Sequence, residues 1–131
     1  MLKNLKIVFF GCTLALLMNA CGGACGSSKT ALLEKQHTMV EKIRATKPSS
    51  WEATDKQMSQ FIQECYPQHK AEFTAADHKD FWLAVTRYYV NRHGGTAQFL
   101  LKIVTADWGK ELLTNLAALK ISPEQAIEML K

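Results

Sequence analysis

The sequence predicts an all-α protein, a small bundle of four or five helices behind an N-terminal signal segment and a flexible tether. Three observations carry that class. From Thr30 onward apolar residues recur at the three- and four-residue spacing of a helix face. Capping signals open several of the segments, and no stretch alternates apolar and polar residues with the β-branched content a strand needs.

The first element is the signal, residues 1–20. Lys3 and Lys6 precede an uncharged run of 12 residues, Ile7 to Met18. As a helix that run reaches only about 18 Å, short of the roughly 30 Å hydrocarbon core of a bilayer. A basic start, a short apolar centre and small residues at the exit describe a secretory signal; a buried core helix is the alternative. Leu17-Met18-Asn19-Ala20-Cys21 resembles the lipobox of bacterial lipoprotein precursors, in which a small residue precedes a cysteine that is acylated and becomes the new N-terminus. The resemblance covers about the first 30 residues, leaves the domain behind them unassigned, and implies that Cys21 is the lipidated residue. Cys12 comes too early to leave a full apolar region before it, and Cys25 follows Gly-Gly-Ala. Two or three acyl chains such as palmitate, at about 0.8 kcal/mol per buried methylene, would anchor the chain stably. With no acidic residue directly after Cys21, the family's sorting pattern favours the outer membrane, facing the periplasm.

Residues 21–29 read as the lipidated cysteine and a Gly/Ser leash, Gly22, Gly23, Gly26, Ser27 and Ser28, and residues 30–131 as the helical domain. Processing before Cys21 leaves 111 residues, enough for one modest core. It also lowers the formal charge from +4 to +2, so part of the basicity belongs to the signal. The Lys and Arg residues of the domain are dispersed among acidic ones with no basic, aromatic-interleaved cluster, which argues against nucleic acid as a partner. Two thiols remain after processing, Cys25 and Cys65, and an oxidising envelope permits them to pair. The alternative is that Cys65 is an ordinary buried residue and Cys25 an exposed passenger of the leash.

Leu32, Leu33, Gln36, Met39, Val40 and Ile43 form a helix face over residues 30–46, which Lys47-Pro48-Ser49-Ser50 ends. Thr54-Asp55-Lys56-Gln57 reads as a capping box opening a second helix with Met58, Phe61, Ile62 and Cys65 inward, closed by Tyr66-Pro67. Thr74-Ala75-Ala76-Asp77 opens a third, lined by Phe81, Trp82, Val85, Tyr88 and Tyr89 as far as Arg92 and stopped by Gly94-Gly95. A fourth restarts at Thr96 and keeps Phe99, Leu100, Ile103, Val104, Trp108, Leu112, Leu116 and Leu119 on one face, with Asp107 and Gly109 able to split it. Ser122-Pro123-Glu124-Gln125 is the clearest cap, before a short last helix with Ile127 and Leu130 inward.

Chemistry is sparse. His37, His69, His78 and His93 make no ligand motif and read as surface residues, so no metal or cofactor is expected. No glycine-framed serine is present, Cys65 lies on an apolar stripe that raises a thiol pKa, and no carboxylate pair announces a cleft; the chain does not read as an enzyme. The aromatic group Phe81, Trp82, Tyr88, Tyr89, Phe99 and Trp108 reads first as core. The adjacent pairs Phe81-Trp82 and Tyr88-Tyr89 cannot all face inward, however, so Tyr89 beside Arg92 and His93 is expected to form a partner-binding patch. The bland alternative is that Arg92 and His93 complement the negative end of a helix dipole. The function expected is therefore a membrane-anchored envelope lipoprotein that binds a protein as an accessory, inhibitor or immunity-type factor. A carrier of an apolar small ligand comes second and a tethered enzyme third.

Overall fold

The computed structural model describes residues 23–131; the signal and Cys21 lie outside them. The described chain is all-α. After a 3-10 turn at Gly23–Cys25 come α1 (Lys29–Ala45) and a long rod made of α2 (Glu52–Gln60), a π turn (Phe61–Cys65), α3 (Tyr66–His69) and a 3-10 turn (Lys70–Glu72). Then follow α4 (Ala75–Arg92), α5 (Thr96–Ile103), α6 (Asp107–Ala118) and α7 (Pro123–Met129). Among the described residues no helix is long and apolar enough to cross a membrane.

The caps follow the sequence in three places. Ser28 Oγ accepts the Ala31 N–H at the start of α1. Reciprocal capping boxes join Thr74 to Asp77 and Ser122 to Gln125, each satisfying two backbone donors that a helix start leaves free. At the end of α4, Gly94 and Gly95 take positive φ, 87° and 123°. The Gly95 N–H thereby returns to the Val90 carbonyl at 2.9 Å, a closure that a side chain with Cβ would strain.

Two boundaries differ from the expectation. α2 begins at Glu52, so Thr54 is inside the helix and the box with Gln57 is not formed. Thr54 Oγ1 instead lies 3.1 Å from both the Trp51 carbonyl oxygen and the Tyr88 hydroxyl oxygen, a place that only the neighbouring helix makes available. Tyr66-Pro67 does not end the rod either. Pro67 lacks the N–H an α-helix would use, but the wider π turn just before it carries the Tyr66 N–H back to the Phe61 carbonyl, and the rod continues to Glu72.

The segment from Thr96 to Leu119 is split, as Asp107 and Gly109 allowed, with the break at residues 104–106. Gly109 is the reason α6 can fold back so closely, because a Cβ there would stand 1.9 Å from the Ile103 carbonyl oxygen. The break also turns Val104 outward, where it is 66% exposed, against its expected place on the inner face.

The centre of the bundle is α4. Its Phe81, Trp82, Val85 and Tyr88 are buried with Leu32, Met58, Phe61, Phe99, Leu112 and Leu116 from the helices around it. Adjacent residues Phe81 and Trp82 are both buried because α4 is covered on more than one side, which a one-sided stripe does not anticipate. Gln36 on α1 spends its buried amide on the Phe81 carbonyl at 3.2 Å. Lys29 on α1 meets Asp77 on α4 at 2.6 Å, and Arg87 of α4 lies 4.0 Å from Glu41 of α1. These pairs rise together along both chains, so α1 and α4 run parallel. The α2–α3 rod runs the other way, with Asp55 beside Arg92 and Cys65 and His69 near the start of α1.

The expected leash is folded against this bundle from Gly23 on. Cys25 is bonded to Cys65, both buried, and His69 Nε2–H donates to the Gly26 carbonyl at 3.2 Å. Composition alone suggests coil here; the bridge and the buried imidazole override it. His69 is accordingly a core residue and not the surface histidine expected, and His78, half-buried, places Nδ1 2.7 Å from the Tyr66 hydroxyl.

The Lys29–Asp77 contact has a pH signature. The Lys29 ammonium, and after it the Thr74 backbone N–H, hold the Asp77 carboxyl at about 2. A carboxyl lowered on folding stabilises the protein above the unfolded carboxylate range near 4 and withdraws that support as pH falls toward 2. Acid titration of Asp77→Asn should therefore lack part of the stability loss that the parent shows between about pH 4 and 2, measured as the difference in urea midpoints.

Candidate functional site

The patch expected at Tyr89, Arg92 and His93 forms the C-terminal end of α4, and each residue is tied into the fold. Arg92 lies along the Asp55 carboxylate, Nε at 3.1 Å from Oδ1 and Nη2 at 3.2 Å from Oδ2, a two-point contact that fixes the guanidinium plane. Its Cζ stands 5.2 Å from the centre of the Trp51 ring. The Tyr88 hydroxyl donates to the same Asp55 carboxylate. Burial, with Asp55 next, pushes the Tyr88 phenol well above its ordinary range.

Next to this group, Tyr89 stacks on Trp108 with ring centres 4.1 Å apart, and His93 stacks on the same indole at 5.0 Å. Phe99 completes the column at 5.8 Å from Trp108. Burial raises the Tyr89 phenol to about 12 and, together with the Arg92 charge, lowers the His93 imidazole. Burial and then the Arg92 charge thus disfavour the charged His93 imidazole, and Arg92 is paired with Asp55. Both residues also stand at the C-terminal end of α4, where the dipole alternative places them.

Trp51, Arg92, Tyr89, His93 and Trp108 are thus gathered around the C-terminal end of α4, and all are half-buried. Trp51, Asp55 and Trp108 also stand here, and nothing in their sequence spacing assigns them to the end of α4. Trp51 sits in the loop before α2 and follows no periodic stripe. Asp55 looked like a capping-box member. Trp108 read as core, and the only signal for its place was the break at Asp107 and Gly109, which turns its ring across the end of α4.

Because Asp55 serves two groups, its loss should be felt in stability first. Asp55→Ala is expected to lower the unfolding free energy by about 1–3 kcal/mol by leaving the Tyr88 hydroxyl and the Arg92 guanidinium without their acceptor. Chemical denaturation measures it, and Asp55→Glu should recover part of the loss.

Two cavities complete the description. A cleft of about 600 Å³ lies between α1 and α4, with Leu33, Val40, Leu83 and Ala84 on its floor, Met129 and Leu130 at one end, and Glu34, Glu41, Asp77 and Asp80 on its rims. A smaller one of about 250 Å³ lies under the aromatic surface, between Trp82, Tyr89, Trp108 and the Gln63–Glu111 hydrogen bond of 2.7 Å. Among the described residues, no three His, Cys, Asp or Glu side chains are grouped to hold a metal ion. Comparison with known families, curated proteins and solved structures finds no match to this chain.

Proposed function

We propose that the chain is a bacterial envelope lipoprotein, anchored through acylated Cys21 and facing the periplasm from the outer membrane, that works by binding another protein as an accessory, inhibitor or immunity-type factor. The observation that supports partner binding is the half-open surface of Trp51, Arg92, Tyr89, His93 and Trp108. Tryptophan, tyrosine and arginine are the residues that anchor interfaces, and side chains already held by neighbours lose little freedom on docking. The anchor is supported by the lipobox-like Leu17 to Cys21.

A photo-crosslinking residue in place of Trp51, in cells that make the full chain, tests the surface. A discrete protein adduct is expected there and not from the same residue at exposed Glu124. Equal labelling at both positions, or none at Trp51, sinks the reading. Arg92 and His93 are poor test positions because their replacement disturbs Asp55 and Trp108. For the anchor, Cys21→Ser should release the protein from membranes or block its processing; continued partition into detergent would contradict it. The α1–α4 cleft favours the second reading, a carrier, since about 600 Å³ falls in the range of small-ligand sites. Its charged lining, with Glu34, Glu41, Asp77, Asp80, His37 and Arg87, fits an apolar ligand poorly, and saturable binding of an apolar fluorophore, weakened by changes at Leu83, would revive it.

A further inference from the structure

We propose that the Cys25–Cys65 bridge is a mooring: it shortens the tether to four peptide links from Cys21, holds one pole of the bundle against the bilayer surface, and turns the aromatic surface away from it. This rests on the reading of Cys21 as the acylated residue.

The argument starts from chain length. A residue spans at most about 3.6 Å, so Cys25 lies within about 14 Å of Cys21 whatever path the intervening residues take. Were the first attachment the cap of α1 at Ser28, seven links would allow about 25 Å. That is close to the length of α4, whose 18 residues reach about 27 Å. A tether as long as the domain lets it turn over at the membrane; one half as long does not.

The bridge is not an isolated contact. Cys25 is buried, the next carbonyl, that of Gly26, is held by His69, and Ser28 caps α1. The segment is thus fixed to two elements, the π turn that carries Cys65 and the start of α1. Together they define a pole. The start of α1 and the start of α4 meet there through Lys29 and Asp77, and the antiparallel α2–α3 rod delivers Cys65 and His69 to the same end. The opposite pole holds the end of α1, Trp51 at the start of α2, and the end of α4 with Tyr89, Arg92 and His93. The partner of the first pole is the lipid headgroup layer, because the covalent reach leaves it no other neighbour. A protein partner then meets the second pole about one helix length away from the membrane.

The test uses the acylated full-length protein, purified from membranes and reconstituted in phosphatidylethanolamine/phosphatidylglycerol vesicles that contain a rhodamine-labelled lipid. A donor dye on an azido amino acid is placed either at exposed Gln68, near the mooring, or at exposed Ser49, in the loop at the far pole. Energy transfer to the membrane should be several-fold stronger from Gln68 than from Ser49. A Gly/Ser spacer of about 12 residues inserted between Gly22 and Gly23 keeps the bridge and the fold but lengthens the tether; it should bring the two positions to nearly equal transfer. Cys25→Ala with Cys65→Ala, combined with His69→Ala to free Gly26, should narrow the difference wherever circular dichroism shows the helices retained. Equal transfer from both sites in the parent protein overturns the mooring, as does a polarity that survives the spacer. Mass spectrometry of the N-terminal peptide separates the two claims: an unacylated Cys21 removes the anchor and the mooring with it, whereas an acylated chain with equal transfer removes the mooring alone.

Discussion

Replacing Cys25 and Cys65 together with alanine is expected to lower the unfolding free energy by about 4 kcal/mol, the loop-closure value for a crosslink spanning a sequence separation of 40 residues. For a domain of this size that is a large part of the total, since native proteins are stable by only about 5–15 kcal/mol. The loss should appear in equilibrium urea unfolding with little change of helical circular dichroism at zero denaturant, because the apolar faces remain. A fragment of residues 29–131 lacks Cys25 and should show a similar loss relative to residues 22–131, although both include every α-helix. If the two fragments melt alike, the bridge contributes nothing and the first residues are merely attached. The same comparison in a reducing buffer should bring the longer fragment down toward the shorter, leaving the smaller part that the Ser28 cap and the Gly26–His69 bond supply.

The second large effect lies at the centre of the bundle. Trp82 is 1% exposed, with Phe81 at 5.0 Å and Tyr66 at 5.2 Å between ring centres. Trp82→Ala should cost about 3–5 kcal/mol, because transfer from water and the cavity left behind act in the same direction. Trp82→Phe is the informative partner. The indole Nε1 is buried without a hydrogen-bond acceptor, a condition that itself disfavours the folded state by about 1–3 kcal/mol. Phenylalanine removes some apolar area and removes that donor as well. Its cost should therefore fall clearly below that of the alanine variant, because the cavity left is smaller and the unpaired donor is gone. A phenylalanine variant as unstable as the alanine one would mean that the donor finds a partner in solution, with the small cavity beside Trp82 and Glu111 the place to look for a bridging water.

Both results concern contacts that no local rule identifies, and the candidate surface shares that character. Tyr89, Arg92 and His93 were legible as neighbours because they lie on the last turns of one amphipathic helix. Their partners were not. Asp55 is 37 residues from Arg92, and Trp51 and Trp108 come from a loop and from the first turn of another helix. The adjacent pairs Phe81-Trp82 and Tyr88-Tyr89 imply that not all four rings face inward. Tyr89, stacked on Trp108, is the one of the four that is half-open, while Phe81, Trp82 and Tyr88 are buried.

By itself the sequence determined the all-α class, most helix boundaries, the caps at Ser122 and Thr74 and the stop at Gly94-Gly95. These depend on interactions within about four residues, such as i→i+4 hydrogen bonds and reciprocal caps, so they are written in short words of the chain. Only the tertiary structure decided that Thr54 serves Tyr88 instead of a cap, that Pro67 is carried through a π turn, that His69 is buried on Gly26, and that Cys25 joins Cys65. Each of these is settled by a neighbour distant in sequence or by how the rods pack. A polar or sulfur group takes the partner that burial leaves within reach, because an unpaired buried group costs more than the local bond it gives up.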